Sequence, residues 1–127
     1  MTEDPKMLGA LTLAYIGDTV YELYNRLLTV SNGDRPVEKL HRESISRAKA
    51  VTQSKLVDVL MDELTEEEQA VYRRGRNATV HTKAKNASVQ EYHRATGLEA
   101  VVGYLYLKGE KERLEHLLKK GFDALGS

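Results

Sequence analysis

No cysteine occurs anywhere in the chain, which removes disulfides, zinc–thiolate centres and thiol nucleophiles from consideration. Long hydrophobic runs are missing too. The opening MTEDPK has no basic n-region, and the longest uncharged stretch near the start covers only residues 7–17. That is far short of the roughly 18–20 apolar residues needed to cross a bilayer. These absences predict a soluble, cytoplasmic protein without a membrane partner. No strand pattern is present and no segment repeats another. With 127 residues there is material for one hydrophobic core and not for two, so residues 1–127 are expected to form a single domain.

Nor is there a surplus of charge of either sign: 19 basic residues balance 19 acidic ones. A uniformly basic nucleic-acid binder is thereby excluded, but the average conceals segregation. Residues 72–94 hold Arg73, Arg74, Arg76, Lys83, Lys85 and Arg94 against one acid, Glu91. Such asymmetry points to a polyanionic partner; the plainer reading is a solvated loop with incidental charge.

What is present is helical periodicity, and the expected class is all-α. Asp4-Pro5 suits a helix start, and apolar residues from 8 to 28 run nearly all the way round, as in a helix buried on most sides. Residues 31–34 form a loop, and Asp34 with Pro36 opens the next helix. Its apolar stripe shifts near residues 52–54, consistent with one bent helix or two. Thr65 with Glu68 and Ser88 with Glu91 have capping-box spacing and each predict a helix start. Residues 75–86, GRNATVHTKAKN, have no apolar period and read as a loop. A last helix is expected over about residues 110–125.

Two acids stand out. In LAYIGDTVYELY (13–24), Asp18 lies among apolar residues, and Glu22 is the only other charge between Lys6 and Arg26. In ATGLEAVVGYLYL (95–107), Glu99 is the only charge. Unpaired buried carboxylates are costly, and such groups pair or bind metal. If the two helices pack together, the acids converge with no basic residue in either run, an arrangement that invites a divalent cation. Magnesium takes one or two carboxylates plus waters and substrate phosphates, so with the basic segment this suggests metal-assisted phosphodiester chemistry. Structural readings stay open: Asp18 pairing with Arg47 or Lys49, and Thr96 with Glu99 forming another capping box.

Taken together, LAYIGDTVYELY, YRRGRNA and EAVVGYLYL resemble the Mini-ribonuclease III family, a ribonuclease III catalytic domain without its double-stranded-RNA-binding domain. The resemblance runs from about Leu8 to Leu118, with the three motifs in order. It implies a helical endonuclease that acts as a homodimer on double-stranded RNA, depends on Mg2+, and matures the 23S ribosomal RNA precursor. A ribosomal-protein accessory is a further candidate partner. Asp18 and Glu99 match the motif acids and are the implied catalytic and metal-binding residues. Tyr15 falls where the broader family packs an aromatic into the partner subunit. Arg73, Arg74, Arg76 and Asn77 fall on the family's basic run; Lys83, Lys85 and Asn86 extend the candidate RNA-binding set.

The broader family has two more acids, where this chain has Ala14 and Thr96; the smaller family resembles this chain in lacking them. One ion is therefore the safer expectation. His81 and His93, in or near the basic segment, are weak candidates for a general base, whereas His41 and His116 read as structural. Two rivals remain: a catalytically inactive RNA-binding or ribosome-assembly factor on the same fold, favoured by the missing acids, and a helical protein-interaction module, which leaves the basic segment unexplained.

Overall fold

A computed structural model describes residues 4–78 and 88–126, and every regular element among them is helical. The first helix, α1 (Ala10–Ser31), begins later than Asp4-Pro5 suggested. Asp4 instead caps a separate 3-10 turn, Pro5–Met7, by accepting a bond from Lys6 N–H. Extended backbone at Leu8 and Gly9 then resets the chain before α1. Beyond Ser31 the chain turns at Gly33, whose φ of 125° favours a residue without Cβ.

The stripe shift in the second helical region marks two helices, α2 (Val37–Ala48) and α3 (Ala50–Leu60), separated by extended backbone at Lys49. Both predicted capping boxes are formed in full, Thr65–Glu68 opening α4 (Glu66–Arg76) and Ser88–Glu91 opening α5 (Val89–Leu107). The loop expected from residue 75 starts later, because Gly75 and Arg76 still belong to α4. The chain closes with α6 (Lys111–Ala124).

α5 is the central element and packs against α1, α3, α4 and α6. Every residue from Ala95 to Leu105 except Glu99 is buried, so α5 has no polar face along its middle. Leu13, Tyr21, Leu56, Leu60, Leu114 and Phe122 supply the surrounding core. Tyr21 and Phe122 meet edge-to-face, with ring centroids 5.8 Å apart.

One cation is built into this interior. Arg47, at the end of α2, is 3% exposed. Its Nη1 donates to Asn25 Oδ1 (3.1 Å) and Thr29 Oγ1 (2.9 Å), its Nη2 reaches Glu43 at 3.5 Å, and its guanidinium lies over the Phe122 ring. Asn25 and Tyr21 return bonds to the carbonyls of Ser44 and Arg47. This network ties α2 to α1 and engages both terminal nitrogens of Arg47, leaving only its Nε without a partner. The pairing of Asp18 with Arg47 or Lys49 does not occur among the described residues.

The α1–α5 crossing is closer than side chains permit. A Cβ on Gly17 would stand 1.7 Å from the Glu99 carbonyl oxygen, and one on Gly103 would stand 2.0 Å from that of Leu13. The crossing of α4 over α5 is also tight: a Cβ on Gly75 would lie 2.8 Å from that of Ala100. Backbone lies in the way at Gly17 and Gly103, so a methyl there can be accommodated only by moving helices apart. Gly17→Ala is therefore expected to cost about 3 kcal/mol or more, a fall in Tm on the order of 10 °C in a chain of this size. Gly9→Ala is the control, since its Cβ would meet nothing nearer than 3.8 Å. Thermal denaturation of both variants checks the difference.

Candidate active site

The crossing sets the two acids against each other. Gly17, in contact with Glu99's backbone, precedes Asp18 directly, so α1 delivers its acid to the point where α5 delivers Glu99. The two carboxyl groups are close enough to share a hydrogen bond. The environments are unequal. Asp18 is exposed, which corrects the expectation that its carboxylate is buried, while Glu99 is half-buried. The helix surface next to Gly17 is covered by α5, but the turn carrying Asp18 faces out. The remaining acid of that run, Glu22, reaches Arg26 on the surface at 3.5 Å.

Burial, and then the neighbouring Asp18, push Glu99 up from 4.5 to about 8. A hydrogen bond from Gln53 acts the other way. At neutral pH the ion-free site therefore holds one proton on Glu99. No Lys or Arg among the described residues pairs with either acid. Nor is Glu99 an N-terminal capping residue. Thr96 lies in the middle of α5, where its hydroxyl donates to the Tyr92 carbonyl, and the box that opens the helix is Ser88–Glu91. Both structural readings of these acids are thus overturned.

A hard divalent cation fits this donor set: two carboxylates, one of which retains a proton until something replaces it, open to solvent on the Asp18 side. No group of three or more His, Cys, Asp or Glu side chains able to hold a metal is present among the described residues. The positions that in the broader pattern carry acids, Ala14 and Thr96, are both buried, each 7% exposed.

The arginine run occupies the last turn of α4. Arg73 and Arg74 are exposed and Arg76 is half-buried. Arg74 Nη2 donates to the Leu8 carbonyl (2.8 Å), while Arg76 lies over Tyr72 and donates to Asn77 Oδ1. Three acids begin this helix and three arginines end it, the polarity that the helix dipole favours. Part of the charge pattern is therefore structural. Val89, Gln90, His93 and Arg94 at the start of α5 complete a polar recess with Tyr72, Arg76 and Asn77. Arg94 is drawn back by Asp58 and the Ser54 carbonyl. Lys83, Lys85, Asn86 and His81 lie outside the described residues. His93 is half-buried with Nδ1 unpartnered, His116 contacts Glu63 on the surface, and His41 is exposed. Tyr15 is 79% exposed on α1. Gln53, buried beside Glu99, was not singled out by any sequence pattern.

Comparison with known proteins identifies the class to which this helical domain belongs, and it is a class of nucleases. The ribonuclease III domain model matches residues 11–110, spanning both acids and the arginine run. The chain belongs to that family and is an endoribonuclease of double-stranded RNA. It is 49% identical over 118 residues to the Mini-ribonuclease 3 of Clostridium tetani, covering 92% of this chain and 78% of the relative. With the Mini-ribonuclease 3 of Enterococcus faecalis it shares 47% over 117 residues, covering 91% and 89%. A crystal structure of a Fusobacterium nucleatum protein is similar with a TM-score of 0.86 at 26% identity, covering 97% of this chain and 98% of that one.

The proton on Glu99 has a measurable consequence. Its folded-state pKa lies above its unfolded value, so between pH 4.5 and about 8 the folded chain keeps a proton that the unfolded chain releases. Stability of the metal-free protein should fall as pH rises through that window, by at most about 1.4 kcal/mol per pH unit. Glu63 and Glu67, held down near 2 chiefly by lysine partners, act in the opposite sense and only below pH 4.5. Denaturant melts in chelator at pH 5 and pH 8 should show the decline, and Glu99→Gln should flatten it.

Proposed function

We propose that this endoribonuclease cuts duplex RNA at the Asp18–Glu99 pair with a magnesium ion held between the two carboxylates. The observation that carries the proposal is the convergence of one acid from α1 and one from α5, with no lysine or arginine to neutralise them among the described residues. Magnesium held there supplies water of lowered pKa and neutralises charge on the scissile phosphate. Asp18, on the open side, faces the incoming RNA strand, while Glu99, anchored by packing on α5, fixes the depth of the site. Two protein ligands leave room for a phosphate oxygen and several waters. The products, by the family's chemistry, carry a 5′ phosphate and a 3′ hydroxyl.

Arg73, Arg74, Arg76 and Asn77 are the grip on the duplex, with Lys83, Lys85 and Asn86 continuing it. A-form RNA is held through phosphates and 2′-hydroxyls across its shallow groove, which guanidinium and amide groups suit. The substrate we assign is the 23S ribosomal RNA precursor, processed in the cytoplasm, with a ribosomal protein as candidate accessory.

The active form is a homodimer joined through α1. Leu11, Tyr15, Leu23, Leu27 and Val30 are all exposed on that helix, in two groups on either side of the polar turn that carries Asp18, Thr19 and Glu22. An apolar strip of this length on a small domain is the mark of an interface, and a second copy would set two basic helix ends on one duplex and raise avidity.

Asp18→Asn and Glu99→Gln should each abolish cleavage of a duplex RNA at saturating magnesium while the melting temperature of the metal-free protein at neutral pH changes little, since Asp18 is exposed and Glu99 already carries a proton there. Retention of most of the cleavage rate by either variant refutes the assignment.

For the dimer, sedimentation at micromolar concentration should give twice the chain mass, and Tyr15→Ala should shift the equilibrium toward monomer. A wild-type monomer, or unchanged association of the variant, speaks against α1 as the interface.

A further inference from the structure

Gln53 does not belong to any motif, yet it sits where α2, α3 and α5 meet. It is 4% exposed. Its Nε2 donates to the Ala48 carbonyl at 3.2 Å and reaches Glu99 Oε2 at 3.5 Å. Its Oε1 is buried without a hydrogen-bond partner, the only side-chain oxygen among the described residues in that condition. A buried amide oxygen left unpaired costs about 1–3 kcal/mol, and reversing the amide does not relieve it. The reversed amide would set Oε1 against another acceptor, the Ala48 carbonyl, and strand Nε2 instead. The orientation is therefore fixed by the acceptor beside it.

We infer that Gln53 is the positioning residue of the metal site: its amide N–H holds the Glu99 carboxylate in place for the ion, and its unpaired carbonyl oxygen receives a hydrogen bond from the ion's hydration water. The inference rests on the reading of Asp18 and Glu99 as the ion's ligands. Three features support it. The break at Lys49 starts α3 afresh, and Gln53 lies one turn into it, buried against the α5 acid. Magnesium keeps much of its water shell, so a site with two carboxylates needs further oxygen acceptors for those waters. Carboxylates that ligate metals are themselves held by a second layer of hydrogen bonds, and loss of such a partner typically weakens metal binding by 10–100-fold.

The competing role is purely structural. Ala48 is the last residue of α2, so its carbonyl needs a donor, and Gln53 provides one. The two roles separate by experiment. Binding of Mn2+ alone to the RNA-free protein, followed by the loss of the free-ion electron paramagnetic resonance signal, reads the site without turnover. Measurement at pH 8.5 under nitrogen keeps proton competition at Glu99 small. Wild type should bind, Glu99→Gln should lose binding, and Gln53→Leu should weaken it tenfold or more. Gln53→Asn, which keeps an amide but withdraws it by one methylene, should also weaken it and serves if the leucine variant does not fold. Affinity within twofold of wild type in a folded Gln53 variant, with Glu99→Gln still inactive in binding, overturns the role of Gln53 and leaves the ligand assignment standing. Undiminished binding by Glu99→Gln removes the ligand assignment, and the role of Gln53 falls with it.

Discussion

Two helices whose backbones touch at Gly17 and Gly103 hold this molecule's chemistry together. The contact between α1 and α5 is made by main-chain atoms, so its geometry does not depend on side-chain rotamers. The candidate site is referenced to it. Asp18 follows the first glycine, Glu99 provides the carbonyl that the glycine meets, and the exposed apolar strip lies on the outer side of the same α1. The arginines come from α4, whose own close approach to α5 at Gly75 fixes their distance from the acids. A wider crossing with ordinary side chains would separate the carboxylates.

The electrostatic arrangement follows from this packing. The interior tolerates one cation, Arg47, because Asn25, Thr29 and Glu43 surround its guanidinium. It tolerates Glu99 by keeping it protonated. These are different solutions to the same cost of burying charge. The first has protein partners on both terminal nitrogens, with only Nε left over. The second is short of them: an acid with a proton to give up, a second acid on the solvent side, and the unpaired amide oxygen of Gln53. Of these two arrangements, the one at Glu99 is the one we propose for chemistry.

Much of this was legible in the chain itself. Capping boxes at Thr65 and Ser88 were readable because the motif is local, needing four residues and no tertiary context. The lone acids were readable because a charge inside an apolar helical run is a local anomaly. Exposure of Asp18 was not, since the apolar girth of α1 has two causes, burial against α5 on one side and an uncovered strip on the other, and composition does not separate them. The helix start at Ala10 was obscured by a good cap at Asp4 that serves only a 3-10 turn. Gly75 looked like loop because glycine is a breaker in isolation; its place inside α4 is set by Gly97 and Ala100, distant in sequence. Gln53 was invisible for the same reason, since its meaning lies in two acceptors supplied by other helices.

Burial of Ala14 and Thr96 constrains how the site could be rebuilt as well as what it holds. Both positions are sealed into the packed interior while Asp18, one helical turn beyond Ala14, stays at the surface. An acid placed at either would insert a further carboxylate beside one that already refuses to ionise at neutral pH, in a space filled by core. A single substitution of that kind would thus weaken the ion-free fold by desolvation and like-charge repulsion together. The two-acid arrangement is in this sense self-locking: a four-acid site on this scaffold would require the surrounding core to be rebuilt first.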